Sequence, residues 1–307
     1  MSEANTPREL RIGPAGWSYA DWAGIVYPAR RPRGFSEPAY LAEFFDTIEI
    51  NSSFYQPLRP AVCWQWLERV AHNPRFLFTA KLWQRFTHET GATQQDEAAM
   101  REGFDMLMAG EKLGAVLLQF PFSFHRTREN LAHLKTLLDR FRAYTLVVEV
   151  RHATWNHAPF YRLLAARRVG FCNIDQPLIA RSLGPTERAI PQSGIGYVRL
   201  HGRRYDTWFT GNAATPPSER YNYLYTEKEL APWAARIEHV MANAGRTFVI
   251  TNNHYQGKAV VNALQLIRIL TRERVKVPEP LRVRYPELDR IASQPAQEPT
   301  LFPNPPR

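Results

Sequence analysis

The stretch whose reading decides the fold is TIEINSSFY, Thr47 to Tyr55. Thr47, Ile48, Glu49, Ile50 and Asn51 alternate polar and apolar, the period of a strand with two unlike faces. The polar face carries a carboxylate and an amide, then runs into Ser52, Ser53 and an aromatic pair. Either this is a solvated edge strand, or it is a buried strand whose last residues open into a pocket.

The same pattern recurs along the chain. Short apolar segments end on a polar or charged residue at 10–19, 47–55, 76–83, 115–121, 146–155, 169–175, 196–203 and 247–257. Amphipathic candidates separate them at 36–45, 60–72, 95–111, 127–141, 157–168, 228–244 and 258–271, and the gap from 176 to 195 has room for one short helix. Pro60 suits the first turn of its helix, and Gly110 or Gly114 can end the third. Eight strands alternating with helices predict an α/β protein built on a parallel sheet, and the count of eight favours a closed TIM (β/α)8 barrel, which takes ~250 residues. GPAGWSY after the first strand lacks the glycine spacing of a dinucleotide-binding loop. A single barrel is expected over 8–271, followed by a Pro-rich, irregular or wrapped extension over 272–307.

In a barrel the polar strand ends face the C-terminal mouth, where active sites lie. Those ends carry Glu49 and Asn51, Lys81, Gln119, Glu149 and Arg151, Asp175, Arg199 and His201, and Asn252 and Asn253. Three of these pairs are two residues apart, so each pair is expected to share one strand face. Seven strands contributing polar ends mark a site rather than a stray core polar group.

Bulk properties set the limits. With 44% apolar and 12% aromatic residues the 307-residue chain is not disordered. No apolar run approaches the ~20 residues that cross a bilayer. The opening MSEANTPRELRI has no basic-then-apolar signal pattern, and the two cysteines, Cys63 and Cys172, have no metal-ligand spacing. A cytoplasmic protein without a membrane partner is expected. A net charge of +10 points to an anionic partner such as nucleic acid. Against it, six of the 39 basic residues are Lys, and Arg dominance on that scale also follows from genomic base composition.

The sequence resembles the YecE-like family of TIM-barrel proteins, a domain of unknown function. The words that carry the resemblance are GWSYADWAGIVYP, EINSSFY, FTAKLW with THE, LGAVLLQFPFSF, VVEVRHATW, YVRLHGR, RYNYLYTEKEL and NNHYQGKAVVNA. The resemblance implies the fold. It also implies a likeness to endonuclease IV and xylose isomerase-type barrels, which assigns no chemistry by itself.

Glu49, Glu149, Asp175, His201 and His254 are potential metal donors, so a divalent metal is possible, but Arg151 beside Glu149 favours an ion-paired network without one. No other cofactor is implied. Loops after strands seven and eight of such barrels often hold phosphate. Here they offer Arg203 and Arg204, then Lys258 opening a helix, with Gly202 and Gly257 permitting close backbone approach. Trp17, Tyr19, Phe54, Tyr55, Trp83, Trp155, Trp208 and Tyr255 follow strand ends and can stack on bases or sugars. Trp22, Trp64, Trp66 and Trp233 sit in helical patterns and are expected in the core.

The expected function is that of a hydrolase or lyase acting on a phosphate-containing substrate, nucleic acid or sugar phosphate. Glu49 or Glu149 would be the base, His201 the acid, and Arg151 and Arg199 would bind developing negative charge. Lys81 is placed with the catalytic group: a dry pocket that lowered its pKa would suit it to a Schiff base, but ion pairing with a glutamate is the favoured role, and Asp175 completes the ring. Trp17, Asn51, Gln119, Arg199, Arg203, Arg204, Asn252, Asn253 and Lys258 are the substrate-binding candidates. The alternatives are a glycoside hydrolase using Glu49 and Glu149, and a non-catalytic nucleic-acid binder. Gln297, Leu301 and Phe302 in QEPTLF resemble a sliding-clamp peptide with imperfect spacing.

Overall fold

The computed structural model describes residues 8–205 and 217–293. Trp208 and the clamp-like Gln297, Leu301 and Phe302 lie outside the described residues. Eight strands form one parallel sheet: β1 (Glu9–Pro14), β2 (Thr47–Ile50), β3 (Leu77–Lys81), β4 (Leu113–Gln119), β5 (Leu146–Glu149), β6 (Gly170–Asp175), β7 (Ile195–Leu200) and β8 (Arg246–Thr251). From β2 to β8 each strand pairs with its neighbour in chain order, and β1 pairs with β8, so the sheet curls into the expected TIM barrel. The helices are α1 (Glu37–Leu41), α2 (Pro60–Val70), α3 (Gln84–Thr87), α4 (Gln94–Ala109), α5 (Arg128–Arg140), α6 (Ala158–Ala166), α7 (Glu227–Ala242), α8 (Lys258–Thr271) and α9 (Glu279–Arg284).

Local sequence starts these helices where the pattern placed them. Pro60 opens α2, and Thr93 with Asp96 makes a reciprocal cap on α4 that satisfies otherwise orphaned N–H groups. Gly110 ends α4, whereas Gly114 falls inside β4. There its missing side chain leaves space for the Phe248 ring, which would lie 2.4 Å from an added Cβ. The β6–β7 connection departs from the alternation. Among the described residues it holds a 3-10 turn, Pro191–Ser193, and no α-helix. Trp64 also departs from expectation, being 55% exposed, while Trp22, Trp155 and Trp233 are buried.

The barrel closes differently at one seam. β1 and β2 meet through a single bridge, Ala15 with Glu49, and the Gly16 N–H donates to the Glu49 carbonyl at 2.8 Å. Gly13 makes the approach possible, since a Cβ there would sit 1.9 Å from the Thr47 carbonyl oxygen. The chain beyond Thr271 packs back on the barrel through buried Val275, Leu281, Leu288 and Ala292.

Because the atom that obstructs a side chain at position 13 is backbone, relief requires opening the seam. Gly13→Ala is expected to lose about 1–3 kcal/mol or more in urea unfolding. Gly184→Ala, where a Cβ meets open space, is expected to leave the midpoint nearly unchanged.

Candidate functional site

Several of the polar residues at the strand ends converge around one side chain. Arg199 is completely buried, with both carboxylates on its guanidinium. Its Nη2 donates to Glu49 Oε1 at 2.7 Å and its Nη1 to Glu149 Oε2 at 2.6 Å. Nη1 also reaches Gln119 Oε1 at 3.1 Å. On β5, Arg151 bonds Glu149 Oε1 through Nε and Nη2 at 3.1 and 3.0 Å. Arg199 thus joins β7 to β2 and β5 across the interior. Below, the Tyr197 hydroxyl donates to Glu49 Oε2 at 3.0 Å and lies 2.9 Å from Thr79 Oγ1.

This arrangement fixes protonation states. Burial by itself would push the Glu149 carboxyl up, but Arg199, then His201 and Arg151, overcome it and hold the carboxyl well below the usual range. Burial would lower Arg199, yet Glu149 and Glu49 keep it charged. His201 is driven down to about 3, by burial first and then, against Glu149, by Arg199 and Arg151. Asn252 Nδ2 lies 3.0 Å from its Nδ1, and its Nε2 lies 3.3 Å from both Glu149 Oε1 and Arg199 Nη1. His201 is thus a neutral imidazole rather than an imidazolium.

Lys81 stands apart. Its side chain is 9% exposed and its nearest carboxylate oxygen, Glu49 Oε1, is 3.6 Å away. Among the described residues its ammonium has no hydrogen-bond partner, only the Phe54 ring at 5.6 Å. Burial, followed by the charge of Arg199, lowers it to about 8.

The other predicted residues fall into separate groups. Asn51 lies one residue past β2, where the chain has turned helical. It therefore leaves the Glu49 face and donates to the Tyr19 hydroxyl at 3.0 Å. With Trp17 and Trp66 those two line a cavity of about 290 Å³ beside the seam. Asp175 grips Arg203 through Nε and Nη2 at 2.8 and 3.1 Å, and Arg203 also faces Glu229 at 3.5 Å. Arg204 faces Glu219 at 3.5 Å, and Lys258 donates to Asn222 Oδ1. Asn253 holds the loop before α7, donating to the Tyr223 carbonyl and to Asn262 Oδ1 at 2.7 Å each. Trp155 is core, donating to the Phe124 carbonyl. At the rim, the Tyr19 ring stacks on His254 at 4.2 Å, and Tyr221 approaches the same imidazole at 4.8 Å. RYNYLYTEKEL therefore reaches the loop after β8.

Tyr197 and Thr79 are members that the polar strand-end pattern missed. Both precede a named residue by two, Arg199 and Lys81, so the period of a strand already placed them on the inner face. Among the described residues no group of three or more His, Cys, Asp or Glu side chains is arranged to hold a metal ion. No helix of the described residues is long and apolar enough to cross a membrane.

A parallel eight-stranded barrel with a buried Arg–carboxylate network at its C-terminal mouth defines the class: a TIM-barrel protein with a polar, site-like mouth. Residues 11–285 match the profile described as "Protein of unknown function DUF72", and the chain belongs to that family, which includes the YecE-like proteins. It is similar to the UPF0759 protein YunF of Bacillus subtilis, with 28% identity over 275 residues, 85% of this chain and 94% of that protein. The crystal structure of a DUF72 protein from Thermotoga maritima superposes with a TM-score of 0.73 at 28% identity, covering 86% of this chain and 99% of that one. One from Enterococcus faecalis gives 0.74 at 22% identity, with 85% and 95% covered, a likeness of fold.

The depressed Lys81 ammonium predicts a pH dependence of stability. Between about 8 and the ordinary 10.5 the unfolded chain keeps a proton that the folded chain has lost. Stability therefore rises with pH across that window, and the cost is fully present below it. Measured against Lys81→Met by urea unfolding, the wild type is expected to gain on the order of 3 kcal/mol from pH 8 to 10.5. Parallel pH profiles for the two proteins would show that Lys81 titrates normally.

Proposed function

We propose that the mouth binds a small phosphate-bearing molecule and acts on it as a hydrolase or lyase, with the Lys81 ammonium drawing its phosphate in. The observation that carries this reading is the charge of the inner network. Arg199 already occupies both Glu49 and Glu149. Lys81 is left as a recessed ammonium, ion-paired with Glu49 at 3.6 Å, longer than a hydrogen bond, at the mouth end of β3, the end where barrel active sites operate. A phosphate oxygen supplies the missing acceptor, and Arg151 lies on the same carboxylate network to share its charge.

The geometry ranks the alternatives. A glycosidase needs one carboxyl group held protonated as general acid, whereas Arg199, His201 and Arg151 hold Glu149 well below the usual range. An extended nucleic-acid backbone needs accessible cations along its path. The innermost cations here are recessed, and Arg203 and Arg204 face carboxylates. A terminal phosphate on a small molecule suits the depth better.

Thermal unfolding with ribose 5-phosphate, against ribose, tests binding. The phosphorylated compound is expected to raise Tm with concentration, as any ligand of the native state does, and Lys81→Met and Arg151→Ala are each expected to abolish the shift. Where turnover is found, Lys81→Met is expected to lower kcat about 10²–10⁴-fold. Equal shifts from ribose would sink the phosphate reading. Oligonucleotide binding with a log–log salt slope steeper than about −3 would move it to nucleic acid.

A further inference from the structure

Lys81 has a second capacity that anion binding alone does not use. It ends β3 at the mouth, with its backbone N–H donating to Ser53 Oγ at 2.9 Å, which fixes where the side chain starts. From there the side chain runs inward to a place where no described residue accepts a hydrogen bond from it. The groups that face it come from several elements: Glu49 on β2, Glu149 and Arg151 at the end of β5, Arg199 on β7, His88 after α3 and His254 after β8. Arg199 and Arg151 are cations among these neighbours. Burial beside other cations favours the uncharged, nucleophilic form of a lysine.

We propose that Lys81 is a Schiff-base lysine, forming an imine with the carbonyl group of a small phosphorylated aldehyde or ketone. This rests on the reading of the mouth as a phosphate-ester site and narrows its substrate class. The amine nitrogen attacks the carbonyl carbon, a C–N bond forms, and the carbonyl oxygen takes the electron pair. Glu49 Oε1, 3.6 Å from Nζ, takes the proton released by nitrogen and returns it to that oxygen. A second proton from solvent lets the oxygen leave as water, so amine, carbonyl compound and proton give iminium and water. The iminium cation then takes the place of the ammonium beside Glu49. It draws electrons from a neighbouring C–H or C–C bond, which makes lyase chemistry the outcome of the site. The burial that lowers Lys81 to about 8 supplies free amine near neutral pH.

The chain has six lysines, so selectivity can be read directly. The full-length protein is incubated with dihydroxyacetone phosphate, reduced with sodium borohydride, digested and analysed by mass spectrometry. One equivalent is expected on Lys81, at least about tenfold above any other lysine, with labelling by unphosphorylated dihydroxyacetone about tenfold lower. Lys81→Arg keeps the charge and is expected to bind dihydroxyacetone phosphate in calorimetry without forming an adduct. Wild-type binding without a Lys81 adduct would overturn the imine and leave the phosphate site standing. Neither binding nor adduct would overturn both, and label spread evenly over the lysines would mark Lys81 as unactivated.

Discussion

One buried guanidinium organises the interior. Arg199 rises from β7 and binds Glu49 of β2 and Glu149 of β5 with no solvent exposure. The link to β2 matters most, because β2 is the strand that closes the barrel without a ladder to β1. Glu49 joins that strand to β7 through Arg199 and again through the Tyr197 hydroxyl. Removing one partner of such a pair leaves an uncompensated buried charge, which costs about 3–5 kcal/mol. The constraint that closes the seam and the one that shapes the mouth are therefore the same set of bonds.

That set of bonds also limits the chemistry. Glu149, held by two guanidiniums, is a poor acid, and a neutral His201 is not an imidazolium donor. Glu149 and His201, the obvious acid–base candidates of the sequence, serve each other and Arg199. Lys81 lies 3.6 Å from Glu49, which Arg199 holds at 2.7 Å. In low dielectric so weakly compensated an ammonium is relieved by losing a proton or by gaining an anion, and both routes run through the same nitrogen.

Much of this was legible in the sequence because period-two alternation fixes which face a strand residue occupies. Glu149 with Arg151 and Arg199 with His201 fell on shared faces because the chain runs on extended just past β5 and β7. Asn51 did not, since the chain leaves strand geometry at that residue and the rule ends with the strand. The pairing of Arg203 with Asp175 was illegible for a different reason. It joins the end of β6 to the loop after β7, a contact between segments 28 residues apart that no local pattern encodes. The missing helix between β6 and β7 was visible only as a weak gap, because a barrel strand can be returned by irregular chain.

The residue type at position 81 bears on the same question. Lys supplies six of the 39 basic residues, so a cation placed without further demand in this chain would usually be Arg. The inner ring follows that habit at Arg151 and Arg199, where planar two-pronged donation to carboxylates is what the bonds require. Lys81 breaks it at the one inner position without a hydrogen-bond partner among the described residues. An Arg there would add five donors beside Glu49, which Arg199 already holds, and it could not shed its proton at any accessible pH. A lysine can do so, and burial brings that event near neutrality. A position that only had to be positive would carry no reason to depart from the composition around it, whereas one that has to change charge can be filled from this chain's cations only by lysine.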